Sequence, residues 1–173
     1  MKKITIIIAI IIVILCLSKE VTVTIPKEAI RFRVIANSNE VEDQAVKKKV
    51  AYNLNKNIKD LNFISKDITS SREIIKNAIP SFNKTVQETL KEIESDETYT
   101  IEYGMNYFPE KEYKGVIYEE GEYESLVITL GDGLGENFWC VLFPPLCLLE
   151  GKDVESDDIE YTSFIKEIID KYF

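Results

Sequence analysis

The sequence predicts an α+β fold, and three observations carry that prediction. Apolar residues alternate at period two over 30–35 and again over 98–107. Between those stretches they recur at helical spacing. One more helical stretch closes the chain after the last strands. One strand, then helices, then three or four strands, then a helix reads as a single domain over 30–173. Its helices should cover one face of a mainly antiparallel sheet. A chain of 173 residues, 45% of them hydrophobic, can bury a real core.

The chain opens on a different composition. Lys2 and Lys3 precede an apolar stretch from Ile4 to Leu17, broken only by Thr5. As a helix it rises about 21 Å, short of a hydrocarbon core of about 30 Å. Residues 1–18 therefore read as a signal peptide, with Cys16 and Ser18 at the −3 and −1 positions of a cleavage site. The competing reading is an uncleaved N-terminal membrane anchor. Leu15 stands where a lipoprotein signal wants a small residue before Cys16. Either reading predicts export, with 19–29 as a linker ending near Pro26.

Ile30, Phe32 and Val34 then face one way and Arg31 and Arg33 the other, a half-buried strand with its arginines solvated or paired to acids. Asn37-Ser38-Asn39 ends it. Asn39 with Glu42 reads as a capping box, and Val46, Val50, Leu54, Ile58 and Leu61 line the helix that follows. Lys47, Lys48 and Lys49 fall on its solvated side. A second helix starts at Ser70, with Glu73 three residues on. Pro80 removes a backbone donor, so a break and a fresh start are expected there, with Phe82, Val86 and Leu90 continuing to about Ser95.

Tyr99, Ile101, Tyr103, Met105 and Tyr107 alternate with polar residues, the cleanest strand pattern in the chain. A charged connector follows, with a short strand at Val116-Ile117-Tyr118. Tyr123 to Leu130 is another strand. Gly131-Asp132-Gly133-Leu134-Gly135 reads as a flexible loop, and the apolar run from Phe138 to Leu149 as a central strand covered on both faces. Pro144-Pro145 stops that run. The last helix covers Tyr161 to Phe173.

Several chemistries are excluded. The chain has no His, which removes His-based triads, His general bases and most zinc sites. A net charge of −9 argues against nucleic acid. The glycine loop lacks the spacing and the Lys-Ser/Thr of a nucleotide site and does not match a calcium loop. No cofactor, metal or catalytic residue is predicted. Export permits a disulfide between Cys140 and Cys147, with Pro144-Pro145 folding the chain back; two buried free thiols are the alternative. The residues that combine aromatic anchors with a proline corner are Phe138, Trp139, Pro144 and Pro145. Arg31 and Arg33, on an open sheet face, are weaker candidates for partner contact.

The stretch from Ile30 through Arg31-Phe32-Arg33-Val34-Ile35-Ala36-Asn37-Ser38 to Asn39, with Glu42-Asp43-Gln44, resembles the opening of the stage II sporulation protein R family. Phe108-Pro109, Gly121-Glu122-Tyr123 and the run from Phe138 to Cys147 match its later motifs in order. The resemblance covers roughly Ile30 to Leu149. Phe138 stands where the family commonly shows a second Trp, and Asn39 where Asp is usual. The resemblance implies a signalling protein, not an enzyme, exported from the forespore of an endospore-forming bacterium. It would lie, secreted or membrane-anchored, between the forespore and mother-cell membranes. Its implied partner is a membrane-bound aspartic protease, the stage II sporulation protein GA, which processes the sigma-E precursor in the mother cell. A protein that binds or acts on the cell wall is the competing class.

Overall fold

The structure is a computed structural model that describes residues 23–60, 67–113, 116–148 and 158–173. The expected signal or anchor over 1–18 lies outside the described residues, as do Leu61 and much of the acidic stretch after Leu149. Among the described residues no helix is long and apolar enough to cross a membrane.

The chain is α+β, with seven strands and three α-helices among the described residues. In order these are β1 (Val23–Thr24), β2 (Ile30–Ile35), α1 (Val41–Asp60), α2 (Ile68–Glu92), β3 (Tyr99–Phe108), β4 (Lys111–Tyr113), β5 (Val116–Tyr118), β6 (Gly121–Leu130), β7 (Asn137–Phe143) and α3 (Asp158–Tyr172). A 3₁₀ turn at Leu146–Leu148 follows β7. The strands form two sheets, β3-β6-β2-β7 and β1-β5-β4. Both sheets are mixed: three of the five strand pairings are antiparallel, in line with a mainly antiparallel expectation, and two are parallel. β2 runs parallel to β6, and β1 runs parallel to β5. The parallel pair follows from the connection: the chain leaves β2 through two helices and β3 before β6 returns beside it.

α1 and α2 pack on one face of the larger sheet. Ile30, Phe32 and Val34 of β2, Leu126, Ile128 and Leu130 of β6, and Cys140 and Leu142 of β7 meet Val50, Leu54 and Ile58 of α1 and Ile75, Phe82 and Val86 of α2. The alternation in the strands and the helical spacing place these side chains inward. α3 departs from the one-face expectation. Its Ile165 joins a second cluster with Val23, Ile25, Val116, Tyr118, Val141 and Leu146.

Two helix starts and one break differ from the sequence reading. Asp67, not Ser70, caps α2: its carboxylate accepts the Ser70 amide at 2.9 Å. That bonding, with the Ser70 hydroxyl, holds the Asp67 carboxyl below its ordinary pKa. α2 continues through Pro80 without a fresh start. Pro80 is exposed, and the carbonyl it leaves unpaired, that of exposed Lys76, can be hydrated instead. The buried positions Ile75, Ala78, Phe82 and Val86 keep one helical phase across it. Asn39 does not cap α1 either; its side chain is used elsewhere, as described below.

β7 is an edge strand, not a central one. It is apolar on successive residues because both faces of the sheet are covered along it: Cys140 and Leu142 lie in the helix cluster and Val141 in the second cluster. β2 sits between β6 and β7, so the loop joining them must cross over the end of β2.

Candidate partner-binding surface

That crossing explains the glycine loop, which is clamped rather than flexible. The Leu134 and Gly135 amides donate to the Asn37 and Ala36 carbonyls, each at 2.9 Å. The Asp132 amide donates to the Asn37 side chain at 2.9 Å, and the Glu136 amide to the Asn39 side chain at 2.7 Å. A Cβ at Gly135 would lie 2.2 Å from the Ser38 carbonyl oxygen, so the two backbones touch only because this residue has no side chain. Gly131 adopts φ +52, a left-handed conformation that also favours glycine. Leu134, at the tip, is 78% exposed.

Lys47 belongs to the same corner. It was expected on the solvated side of α1 but is 6% exposed. Its ammonium donates to the Gln44 side chain at 2.5 Å and to the Glu136 carbonyl at 2.9 Å. Burial pulls its pKa below the usual lysine value, against the opposing pull of Glu136. Its alkyl stem is buried with the helix while its head satisfies a loop carbonyl.

The second face of the larger sheet carries the arginines. The strand registers align Glu102, Val127, Arg33 and Trp139 in one row across β3, β6, β2 and β7. The next row toward the small sheet is Gly104, Ser125, Arg31 and Val141. Arg31 is 1% exposed, which overturns the expectation of a solvated arginine on an open face. Its guanidinium carbon lies 3.3 Å from the Tyr123 ring centroid, 5.3 Å from Phe108 and 5.7 Å from Tyr118. The cation is caged by aromatic faces. Nη1 donates to the Glu119 carbonyl at 3.3 Å, while Nε and Nη2 have no hydrogen-bond partner. Desolvation lowers its pKa, with Tyr123 opposing.

Arg33 is only partly buried. Its guanidinium carbon lies 4.6 Å from the Phe108 centroid, and Nη1 donates to the Tyr107 carbonyl at 3.4 Å. Burial lowers its pKa as well. Trp139, paired with Arg33 across the strands, is also partly buried and meets Phe108 edge-on at 5.1 Å. The Lys111 ammonium of β4 lies 5.4 Å from the Trp139 ring. Trp139 and Arg33 therefore share one partly open strip, with Phe108 beneath them and Lys111 beside them.

The other sequence candidates are not part of that strip. Phe138 points to the opposite face, against the helix cluster, with its ring 6.1 Å from Phe32. Pro144 is buried and Pro145 half-buried at the far end of β7, where the Pro144 carbonyl accepts the Leu146 amide at 2.7 Å. Cys140 and Cys147 form a disulfide with Cα atoms 5.5 Å apart. Closing that short ring contributes about 2.5 kcal/mol on the chain-entropy estimate. The bridge and prolines thus anchor the end of β7, while Trp139 lies toward the glycine loop.

Lys111, Phe108 and Lys47 were missed as members of this region. Phe108-Pro109 was visible as a strand end, but nothing local in sequence places its ring between Arg33 and Trp139. Among the described residues no group of acidic or Cys side chains could hold a metal ion. The strip presents a partly buried indole flanked by two cations on a sheet.

A family model described as stage II sporulation protein R matches residues 26–153. Stage II sporulation protein R of Bacillus subtilis (strain 168) is 38% identical over 142 residues, 80% of this chain and 62% of that relative. The match thus spans less than two thirds of the relative's length. No solved structure matches the chain.

Proposed function

The chain belongs to the stage II sporulation protein R family, and from that premise we propose that it is an exported activator of a membrane-bound protease. It is a sporulation protein; the proposal concerns how it acts. In this reading the forespore exports the chain, by a cleaved signal peptide or with the N-terminal segment as an anchor. In the space between the two membranes it engages the aspartic protease stage II sporulation protein GA, which then processes the sigma-E precursor in the mother cell. The chain contributes binding and not catalysis.

The family match over 26–153 carries this reading. The partly open strip around Trp139 and Arg33 supports it, because an activator must bind the active form of its target more tightly than the inactive form. Such binding energy concentrates in a few aromatic and arginine anchors. Trp139 and Arg33 are the contact candidates, and Arg31, Phe138, Pro144 and Pro145 support their geometry. The test is co-production of the exported chain with the protease and the sigma-E precursor. Precursor cleavage and co-purification of chain with protease are expected. Cleavage that is the same without the chain defeats the proposal.

A further inference from the structure

We propose that the strip formed by Arg33, Trp139 and Lys111 is a docking surface for an acidic segment of the partner protein. The inference deepens the activator reading and rests on it for the partner's identity; its chemistry is argued from the strip itself.

The chain is acidic, with 30 Asp and Glu against 21 Lys and Arg. A cation in such a chain finds anions easily, and Arg72 does so with Glu124 at 2.8 Å. Arg33 and Lys111 form no ion pair among the described residues. Their own neighbours explain why. Glu112 follows Lys111 in β4, but a strand's side chains alternate, so it points away from the face that Lys111 shares with Tyr113; Glu110, exposed just before the strand, forms no ion pair with Lys111 among the described residues. Lys111 stands opposite Tyr118 and Tyr113 opposite Val116; the two β5 residues are buried while β4 is exposed, and the Lys111 ammonium reaches to 5.4 Å from the Trp139 ring. Glu102 lies in the Arg33 row, yet Val127 of β6 separates the two and Trp139 is three strands from Glu102, about 14 Å away. The Lys47 ammonium at the same edge is turned to the Glu136 carbonyl, and the Glu136 charge acts on it there.

An incoming carboxylate therefore meets two unpaired cations and an indole on a rigid sheet. Charge-assisted hydrogen bonds to a guanidinium are stronger than neutral ones, and the aromatic neighbours keep that position partly dry. Gly104 adds a second observation on the same face. Its backbone is extended, and a Cβ built there would meet nothing within 4 Å. Packing does not require a glycine, and a glycine inside a strand marks a place where another backbone can approach closely. The occupant that fits is an extended segment with Glu or Asp toward Trp139 and its backbone near Gly104.

Trp139 is the single Trp of the chain, so its emission reports this strip alone. The probe is the blocked peptide Glu-Glu-Phe-Glu-Glu, compared with Gln-Gln-Phe-Gln-Gln, titrated into the exported form at low ionic strength. A saturable change in emission is expected for the first peptide and not the second, weakening severalfold as salt is raised. Lys111→Gln, an exposed position, should weaken binding at least fivefold while melting stays unchanged. Arg33→Gln should do the same or more. Equal responses to both peptides, no response at millimolar peptide, or binding unaffected by either substitution overturns the proposal. So does cation-dependent binding to anionic lipid vesicles in place of the peptide, or a concentration-dependent emission change without peptide, which would identify a second copy as the occupant. Precursor processing is measured separately. A chain that binds the peptide but activates no protease defeats the activator reading and leaves the acidic-segment site standing.

Discussion

The two faces of the larger sheet are made from the same strands and are covered in different ways. On the helix face, Phe32, Leu126 and Ile128 are buried in one apolar cluster with residues of α1 and α2. On the other face, the small sheet and α3 cover one end, the glycine loop reaches over Thr129 at the other, and the row from Glu102 to Trp139 lies between. A face filled by hydrophobic packing has no room for a partner. A face covered at its ends, with cations and an indole in the middle, keeps a rigid surface available. The packed core and the partly open strip thereby lie on opposite sides of one sheet.

That separation can be broken most directly on the helix face. Phe32→Ala removes a fully buried ring at the centre of β2, and the expected loss is roughly 3–5 kcal/mol of stability by urea unfolding. A loss well below that range would mean that the helix layer collapses easily onto the sheet. The loop that straddles β2 comes next. Gly135→Ala drives a methyl group onto the Ser38 carbonyl, and neither backbone is free to move without losing the Leu134 and Glu136 hydrogen bonds. The expected cost is about 2 kcal/mol. An unchanged melting temperature would show the clamp to be loose.

Arg31 tests the covered end of the second face. Its cation sits among three aromatic rings and forms no ion pair among the described residues, so much of its contribution comes from filling the cage. Arg31→Met keeps the volume and removes the buried charge; stability within about 1 kcal/mol of the natural chain, or above it, is expected. Arg31→Ala empties the cage and should cost about 2 kcal/mol. If Met is as damaging as Ala, the charge itself holds the cage together.

These regions were legible in the sequence to different degrees. The ten-residue β3 and the buried stripe of α2 follow from local period, and the phase that runs from Ile75 through Phe82 was present on both sides of Pro80. The parallel β2–β6 pairing was not legible, because a strand's alternation is the same in either direction. The edge position of β7 was hidden for a related reason: apolar residues on both faces report cover above and below, not strands on both sides. Arg31 read as solvated because its cage is assembled from β3, β5 and β6, remote in sequence. Trp139 and Arg33 were legible as candidates, whereas Lys111 needed the small sheet to bring it to the indole.

The smallest change sharpens the comparison most. Gly104 lies on β3 on the second face, and its extended backbone suits any residue. Gly104→Ala adds a methyl group into open space and removes the entropic penalty of a glycine inside a strand, so stability should rise by about 0.5–1 kcal/mol. If nothing docks on this face, precursor processing should stay the same or improve with the more stable chain. If a partner backbone approaches there, the same methyl group stands in its way, and processing should fall although the protein melts later. A gain in stability paired with a loss of signalling cannot arise from damage to the fold, so the result separates the two faces by function as well as by packing. Urea unfolding and precursor processing on one preparation decide it; wild-type processing by the stabilised variant would take Gly104 out of the docking surface.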